Sequence, residues 1–269
     1  MSTGRQPWVA VVGDNCVDRY RGSEDRDYSG GNAFNVAVQL ARAGVAVRYF
    51  GAVGTDALQA VIRSGLEVNG ISTDDLTVLD GPTAVTEISV AANGDRIFDR
   101  EDFGVTADYF PTEAQLDQIA EAVWVHIGML PEATRLRKAL AGRITVSQDC
   151  AVATGLTDLD VAFLSAGETG DARELAAGAA AAGVGVVVAT RGAEGSVCLS
   201  GDRWYEQAAL PAIIVDTTGA GDSFIAGFIA ARLSRRSLPE ALETGARFAA
   251  AACAYRSGWP HLPLDKESR

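Results

Sequence analysis

Short apolar runs alternate along this chain with segments whose apolar residues recur every three to four positions. Trp8-Val9-Ala10-Val11-Val12 is the first run and stops at Gly13, the pattern of a strand buried on both faces. Residues 14–29 then turn polar, with acids at Asp14, Asp18, Glu24, Asp25 and Asp27. Asn32 to Arg42 is apolar at 33, 34, 36, 37, 38, 40 and 41 and is closed by Gly44, which predicts a mostly buried helix with a glycine C-cap. Val45 to Phe50 predicts a strand and Asp56 to Val68 a helix. Thr112-Glu113-Ala114-Gln115 has the spacing of a capping box, and Val123 to Ile127 follows as a strand. Pro131 suits the first turn of a helix. Ile144-Thr145-Val146 and Val161 to Leu164 predict strands, then an alanine-rich helix runs to Gly183 and Val184 to Ala189 forms another strand. Gly195 to Gln207 predicts a hairpin around Ser200-Gly201-Asp202. Ile213-Ile214-Val215 predicts a short strand before a glycine-rich turn and a helix from Phe224 to Ala231. Pro239 opens a final helix to about Arg256, with Ala249 to Ala252 giving it a thin face.

Strands spaced by helical patterns build βαβ units. The fold class is therefore α/β, doubly wound, with a mostly parallel sheet and helices on both faces, as one domain over residues 1–269. Residues 83–100 differ in kind. Ala84 to Val90 alternates, Asn93-Gly94 supplies a two-residue turn, and Arg96-Ile97-Phe98 resumes a strand. A half-polar hairpin has an exposed face, so this segment (about 83–104) together with about 17–29 reads as a small β lid. The lid face bearing Ala84, Thr86, Ile88 and Val90 is expected to be an exposed apolar strand face, a liability unless it is covered.

Composition narrows the chemistry. No run reaches the ~18 apolar residues of a membrane span, and the N-terminus lacks the basic-then-apolar pattern of a secretory leader, so a cytoplasmic protein is expected. Cys16, Cys150, Cys198 and Cys253 lack metal-ligand spacing and read as free thiols of a reducing compartment. With only His126 and His261, a histidine-built metal site is excluded. The formal net charge of −12 argues against nucleic acid and anionic membranes as partners. It also means that any bound phosphate needs local help from helix N-termini, an arginine or a divalent cation.

Ligands of open α/β sheets bind beyond the carboxyl ends of the strands, and four polar segments fall there. Gly13-Asp14-Asn15-Cys16-Val17-Asp18 follows the first strand, and its ordinary alternative is a solvated turn. Gly30-Gly31-Asn32-Ala33-Phe34-Asn35 runs paired glycines into a helix with two amides in its first turn. Amides can hydrogen-bond sugar hydroxyls without adding charge, although plain N-capping by Asn32 uses the same residues. Thr190-Arg191-Gly192-Ala193-Glu194-Gly195 follows a later strand and would let a nucleotide lie against backbone, although any left-handed turn carries the same glycines. Last, Asp216-Thr217-Thr218-Gly219-Ala220-Gly221-Asp222-Ser223-Phe224 sets glycines at a helix start, where free N–H groups hold anions. Asp222 lies in that helix's first turn. A carboxylate beside an anion site suits a base acting where phosphate passes to a hydroxyl.

Gly30-Gly31 with Asn35, joined to Asp216–Phe224 nearly two hundred residues on, resembles both signature regions of the ribokinase-type (PfkB) carbohydrate kinases, and the likeness spans essentially the whole chain. Within that family, residues 13–18 and 30–35, the short length, Asp95-Arg96-Ile97-Phe98, Gly104-Val105 and Ala107-Asp108 are most similar to the fructoselysine 6-kinases. The resemblance implies an ATP- and Mg²⁺-dependent transfer of phosphate to a primary hydroxyl of a sugar. It makes Asp222 the base and the N–H groups of Gly219, Ala220 and Gly221 the anion hole. It assigns Asp14, Asp18, Gly30, Gly31 and Asn35 to the sugar, and Thr190, Gly192, Gly195 and Ser165 to the nucleotide. Lids of this family often pair with a second lid, so the resemblance also implies a homodimer through the lid. Asp222 is expected to be ionised at neutral pH, because a helix N-terminus favours the carboxylate.

The sequence departs from the family at Ser165-Ala166-Gly167-Glu168, where Asn-x-x-Glu is usual. Glu168 can still hold a Mg²⁺-bound water. Many members also bind a monovalent cation through groups placed like Asp216 and Thr218, which are candidates here. Asp99, Glu101 and Asp102 after the hairpin form either a solvated rim or a receptor for the amine of a fructosamine such as fructoselysine. The alternatives are a kinase for another sugar or a nucleoside, and a non-catalytic sugar- or nucleotide-binding module of the same fold. No Gly-x-Gly-x-x-Gly follows the first strand, which leaves a dinucleotide dehydrogenase without support.

Overall fold

In the computed structural model, which describes residues 7–21, 26–90, 96–167 and 169–261, the first apolar run becomes the centre of the molecule. The strands are β1 (Val9–Val12), β2 (Cys16–Arg21), β3 (Arg26–Gly30), β4 (Val47–Phe50), β5 (Ala52–Val53), β6 (Thr77–Val78), β7 (Val85–Val90), β8 (Arg96–Asp102), β9 (Trp124–Ile127), β10 (Thr145–Asp149), β11 (Val161–Ser165), β12 (Val186–Thr190), β13 (Ser196–Ser200) and β14 (Arg203–Gln207). The helices are α1 (Asn32–Arg42), α2 (Gln59–Glu67), α3 (Glu113–Ile119), α4 (Ala133–Leu140), α5 (Ala172–Ala181), α6 (Ala220–Leu233) and α7 (Leu238–Ala252).

Strand β1 is fully buried along its length, and its alternating side chains feed two cores. Val9 and Val11 join the side covered by α1, α6 and α7, whereas Ala10 and Val12 join the side covered by α3, α4 and α5. That two-sided burial is why the strands read as unbroken apolar runs rather than as alternation. The main sheet has the order β14-β13-β12-β11-β10-β9-β1-β4. Strands β4, β1, β9, β10, β11 and β12 pair in parallel, and the antiparallel hairpin β13–β14 finishes one edge. The α/β, mostly parallel architecture is as the pattern of runs predicts. Every parallel strand ends on the same edge, so Gly13, Gly128, Asp149, Ser165 and Thr190 are brought to one side of the sheet.

A separate four-stranded sheet, β3-β2-β7-β8, holds the segments 17–29 and 83–104. Within it β2 and β3 pair antiparallel, with Cys16 opposite Gly30 and Asp18 opposite Tyr28. Strands β7 and β8 pair as the alternation predicts, while the Asn93-Gly94 turn lies outside the described residues. One expectation fails here. Ala84, Thr86 and Ile88 are buried within the chain at 2%, 8% and 0% exposure, and Ile88 packs with Tyr20 and Tyr28. The face expected to be exposed is part of the chain's own interior, with Tyr20 directly beside Ile88 on the neighbouring strand.

Other boundaries shift for identifiable reasons. Ile213, Ile214 and Val215 form no strand; they stand 76%, 66% and 55% exposed, and the Val215 N–H donates to the Cys253 carbonyl instead of joining a ladder. The strand begun at Thr145 runs on to Asp149, past the apolar triplet that marks its start. Helix α7 stops at Ala252, short of Arg256, and Pro131 precedes α4 rather than lying in its first turn. The capping box at Thr112 and Gln115 is present as expected. Among the described residues no helix is long and apolar enough to cross a membrane, and all four cysteines are free.

Candidate active site

The turn between β3 and α1 is built around Gly31, whose φ of 110° lies where side chains are strained. A Cβ there would also stand 2.6 Å from the Asn15 Cα. The chain can thus bend tightly over the end of β1, and Asp14 locks the bend. Its carboxylate accepts the N–H of Asn32 at 2.7 Å, of Ala33 at 3.0 Å and of Met129 at 3.2 Å. Burial raises the Asp14 pKa and the backbone donors lower it, with burial the larger effect. Asp14 accordingly fixes the start of α1 against the loop after β9. Asp18, buried in β2, accepts from the Cys16 thiol at 3.1 Å and lies against Gly30, where a Cβ would fall 2.4 Å from its carboxylate.

Asn32 is not a cap. Gly31 holds the N-cap position without a side-chain bond, and Asn32 is the first helical residue. Its amide donates both to Asp149 at 2.8 Å and to Asp222 at 2.7 Å, and Asn35 donates to the other Asp222 oxygen at 2.8 Å. Three elements far apart in sequence (α1, β10 and α6) therefore meet at Asp222. The amide oxygens of Asn32 and Asn35 are buried with no donor among the described residues. Two acceptors so placed can receive sugar hydroxyls.

Asp222 lies in the first turn of α6, as expected, but it is not poised as a free carboxylate. Burial among its neighbours is the largest influence and raises its pKa; the Asn35 and Asn32 donors lower it, while the charges of Asp149 and Asp14 raise it further. The balance pushes it up to about 8. Desolvation thus outweighs the helix N-terminus, which corrects the expectation of an ionised carboxylate at neutral pH. The Asp149 pKa is also raised, chiefly by burial, and is lowered by the Ala151 N–H and the Asn32 amide. No histidine competes for the role of base: burial holds both His126 and His261 neutral, at about 3.

Helix α6 starts from Gly219, which has φ 70° and packs on Gly258, with a hypothetical Cβ only 2.5 Å from the Gly258 Cα. The three glycine-turn N–H groups are not equivalent. Ala220 N–H turns back to the Thr217 carbonyl at 3.2 Å, whereas the N–H groups of Gly219 and Gly221 find no acceptor among the described residues. The Thr218 hydroxyl is likewise buried and unpartnered. Free donors at a helix start fit an oxyanion such as phosphate. Asp216 accepts the Thr218 N–H at 2.6 Å and the Ser257 N–H at 3.1 Å, so it shapes the turn from behind.

At the ends of β11 and β12, Ser165 and Thr190 are register partners. Thr190 donates to the Leu164 carbonyl at 3.3 Å, and exposed Ser165 accepts the Gly167 N–H at 3.3 Å. Gly192 and Gly195 bracket a short turn closed by the Arg191 N–H to the Gly195 carbonyl at 2.8 Å. Glu168 lies outside the described residues, and among the described residues no three metal-ligating side chains are grouped to hold a cation. Asp99 and Glu101 are exposed on β8, while Asp102 pairs with Arg100 at 2.9 Å.

Two features escaped the sequence. Asp149 was hidden because its strand was read as ending three residues earlier; a polar residue closing a buried strand was the available signal. The C-terminal segment was the other. Gly258 lies so close to Asn35 that a Cβ would meet its amide at 2.2 Å, Gln39 donates to the Gly258 carbonyl at 2.9 Å, and the Trp259 indole donates to the Ser29 carbonyl at 3.0 Å.

The chain is similar over most of its length to known proteins. The model of the pfkB family carbohydrate kinases matches residues 9–144 and 154–263. The chain is 34% identical over 260 residues to fructoselysine 6-kinase of Escherichia coli strain K12, covering 93% of this chain and 99% of that protein. It is 32% identical over 275 residues to fructosamine kinase FrlD of Bacillus subtilis strain 168, covering 96% of each. In structure it resembles Arabidopsis thaliana ribokinase complexed with ribose and ATP, with a TM-score of 0.84 at 22% identity over 94% of both chains.

Proposed function

We propose, starting from the fact that this chain belongs to the pfkB family of carbohydrate kinases, that it transfers the γ-phosphoryl group of ATP to the 6-hydroxyl of a fructosamine. That it is a sugar kinase follows from the family; the acceptor is our reading, supported by the two fructosamine-kinase relatives. The observation that carries the mechanism is the meeting of Asn32, Asn35 and Asp222 beside the free N–H groups of Gly219 and Gly221.

The Asn32 and Asn35 amide oxygens accept sugar hydroxyls, and Asp18 with the Gly30-Gly31 turn borders the same space. Asp222 takes the proton of the attacking hydroxyl as the new O–P bond forms and the bond to the leaving diphosphate breaks. The Gly219 and Gly221 N–H groups stabilise the charge on the transferring phosphoryl oxygens. Thr190, Gly192, Gly195 and Ser165 flank the nucleotide. Mg²⁺, when bound, neutralises phosphate charge with few protein ligands, and Glu168 is the group assigned to it through water. The four-stranded sheet serves as the lid, and dimerisation through its Ala84–Ile88 face is no part of this reading.

The test is a substrate panel of fructose, fructoselysine, ribose and a nucleoside with ADP release as readout, run on the wild type and on Asp222→Asn. Fructoselysine should be the best acceptor, and the variant should lose turnover by on the order of 10³-fold while still binding ATP. Equal kcat/KM for fructose and fructoselysine would overturn the acceptor assignment. Undiminished turnover in the variant would overturn the role of Asp222.

A further inference from the structure

A cleft of about 360 Å³ opens beside Asp14, at the low end of the range for small-molecule sites. Three segments wall it. Phe103 and Ala107 come from the turn after β8, Met129, Leu130 and Pro131 from the loop after β9, and Val152 from the turn after β10. These are apolar, and two of them stand in water: Phe103 is 45% exposed and Val152 37% exposed.

The cleft offers a ligand little charge. Its one charged lining residue, Asp14, has its carboxylate engaged by three backbone N–H groups. Arg137 lies fully buried behind the wall and spends its guanidinium on the protein. Its Nε donates to the Thr157 carbonyl at 2.8 Å and one terminal nitrogen to the Thr134 hydroxyl at 2.8 Å, while the other bonds Gln148. That bracing holds Thr134 and Thr154, which also line the cleft, in fixed positions.

Asp14 links the cleft to the carboxylate cluster. It lines the cleft and accepts the Asn32 N–H, and the Asn32 amide holds Asp149 and Asp222. The wall residue Val152 lies three positions after Asp149, whose carboxylate accepts the Ala151 N–H at 2.9 Å.

We propose that this cleft is the subsite for the N-linked substituent of a fructosamine and that it selects a hydrocarbon chain over a charged group. The proposal rests on the fructosamine reading above. A sugar seated at Asn32, Asn35 and Asp222 directs its substituent past Asp14 into the cleft. Apolar atoms of the substituent there remove Phe103 and Val152 from water. A lysine adduct fits by laying its methylenes along the walls with its charged tip beyond the rim. The exposed acids Asp99 and Glu101 are not needed to receive it.

The experiment is calorimetric binding of fructosamines made from methylamine, propylamine and pentylamine, with phosphorylation of each measured in parallel. Kd should fall by about two- to fourfold per methylene, the gain expected for burying a CH₂ group. Phe103→Ser and Val152→Ser, both at the exposed rim, should reduce that gradient. A flat series, or a gradient unchanged in both variants, would overturn the cleft assignment even if all adducts are phosphorylated. A graded series with no phosphorylation supports the cleft and overturns the assignment of fructosamines as acceptors instead.

Discussion

A single carboxyl group, Asp222, sets the pH behaviour of the site. Its pKa is raised from 3.8 to about 8 in the folded chain. In the proposed mechanism Asp222 is the base and must be ionised, so kcat/KM should rise about tenfold per pH unit below this value and level off above it. A profile flat between pH 6 and 8 would contradict that. Linkage works in the same direction on stability. The folded chain keeps a proton that the unfolded chain releases, so this group's contribution is fully present below pH 3.8 and is lost as pH rises to about 8. Asp222→Asn should therefore flatten the fall of the urea midpoint across that window. Asn32 is a positioning residue in the same set. Asn32→Leu removes the donor that lowers the Asp222 and Asp149 pKa values. It should move the acid limb to higher pH and cost about tenfold or more in kcat/KM, the scale of a hydrogen bond to a charged group. An unmoved limb would mean that Asn32 only packs. At this scale the sequence was half legible. Asn35 and Asp222 sit in spaced motifs, whereas Asp149 is one acid among many until the sheet sets it beside Asn32.

Elements were legible where burial is two-sided and obscure where it is not. The β1 run and the α1 periodicity declare themselves, because a core on each face leaves few polar positions. Hairpin β2–β3 showed only as a polar part of the lid without strand bounds, because Asp18, Arg19, Arg26 and Asp27 break up its apolar positions. Its aromatic residues do the covering instead: Tyr20 and Tyr28 meet edge to face at 5.4 Å and enclose Ile88. The converse error was Ile213–Val215, apolar in sequence yet without a strand to pair with. A prediction separates the two accounts of the β7 face. Ile88→Asp should lower unfolding free energy by about 3 kcal/mol or more, measured by denaturant titration, because it buries a charge without a partner. If the face were instead a subunit contact, the variant would keep its stability and change only its sedimentation mass.

Across the whole molecule, the parallel sheet concentrates acids at one edge of a protein already carrying a net charge of −12. Asp14, Asp149 and Asp222 share that edge, so anion binding there depends on backbone N–H groups and a bound cation rather than on the general field. The topology was foreseeable from the order of runs; the closure of the ends on each other was not, because no local pattern marks a contact between residues 35 and 258. A chain ending at residue 254 lacks Gly258 and Trp259 and should lose turnover by at least tenfold while retaining helical circular dichroism. Full activity in that truncation would show that the C-terminal contacts are dispensable.

The packing of Gly258 on Asn35 also has a consequence in time. Synthesis proceeds from the N-terminus at roughly 5–20 residues per second, so Asn35 precedes Gly258 by about 11 to 45 seconds. Throughout that interval the turn before α1 lacks the backing of Gly258, and the contact forms only after every strand and helix described above has been made.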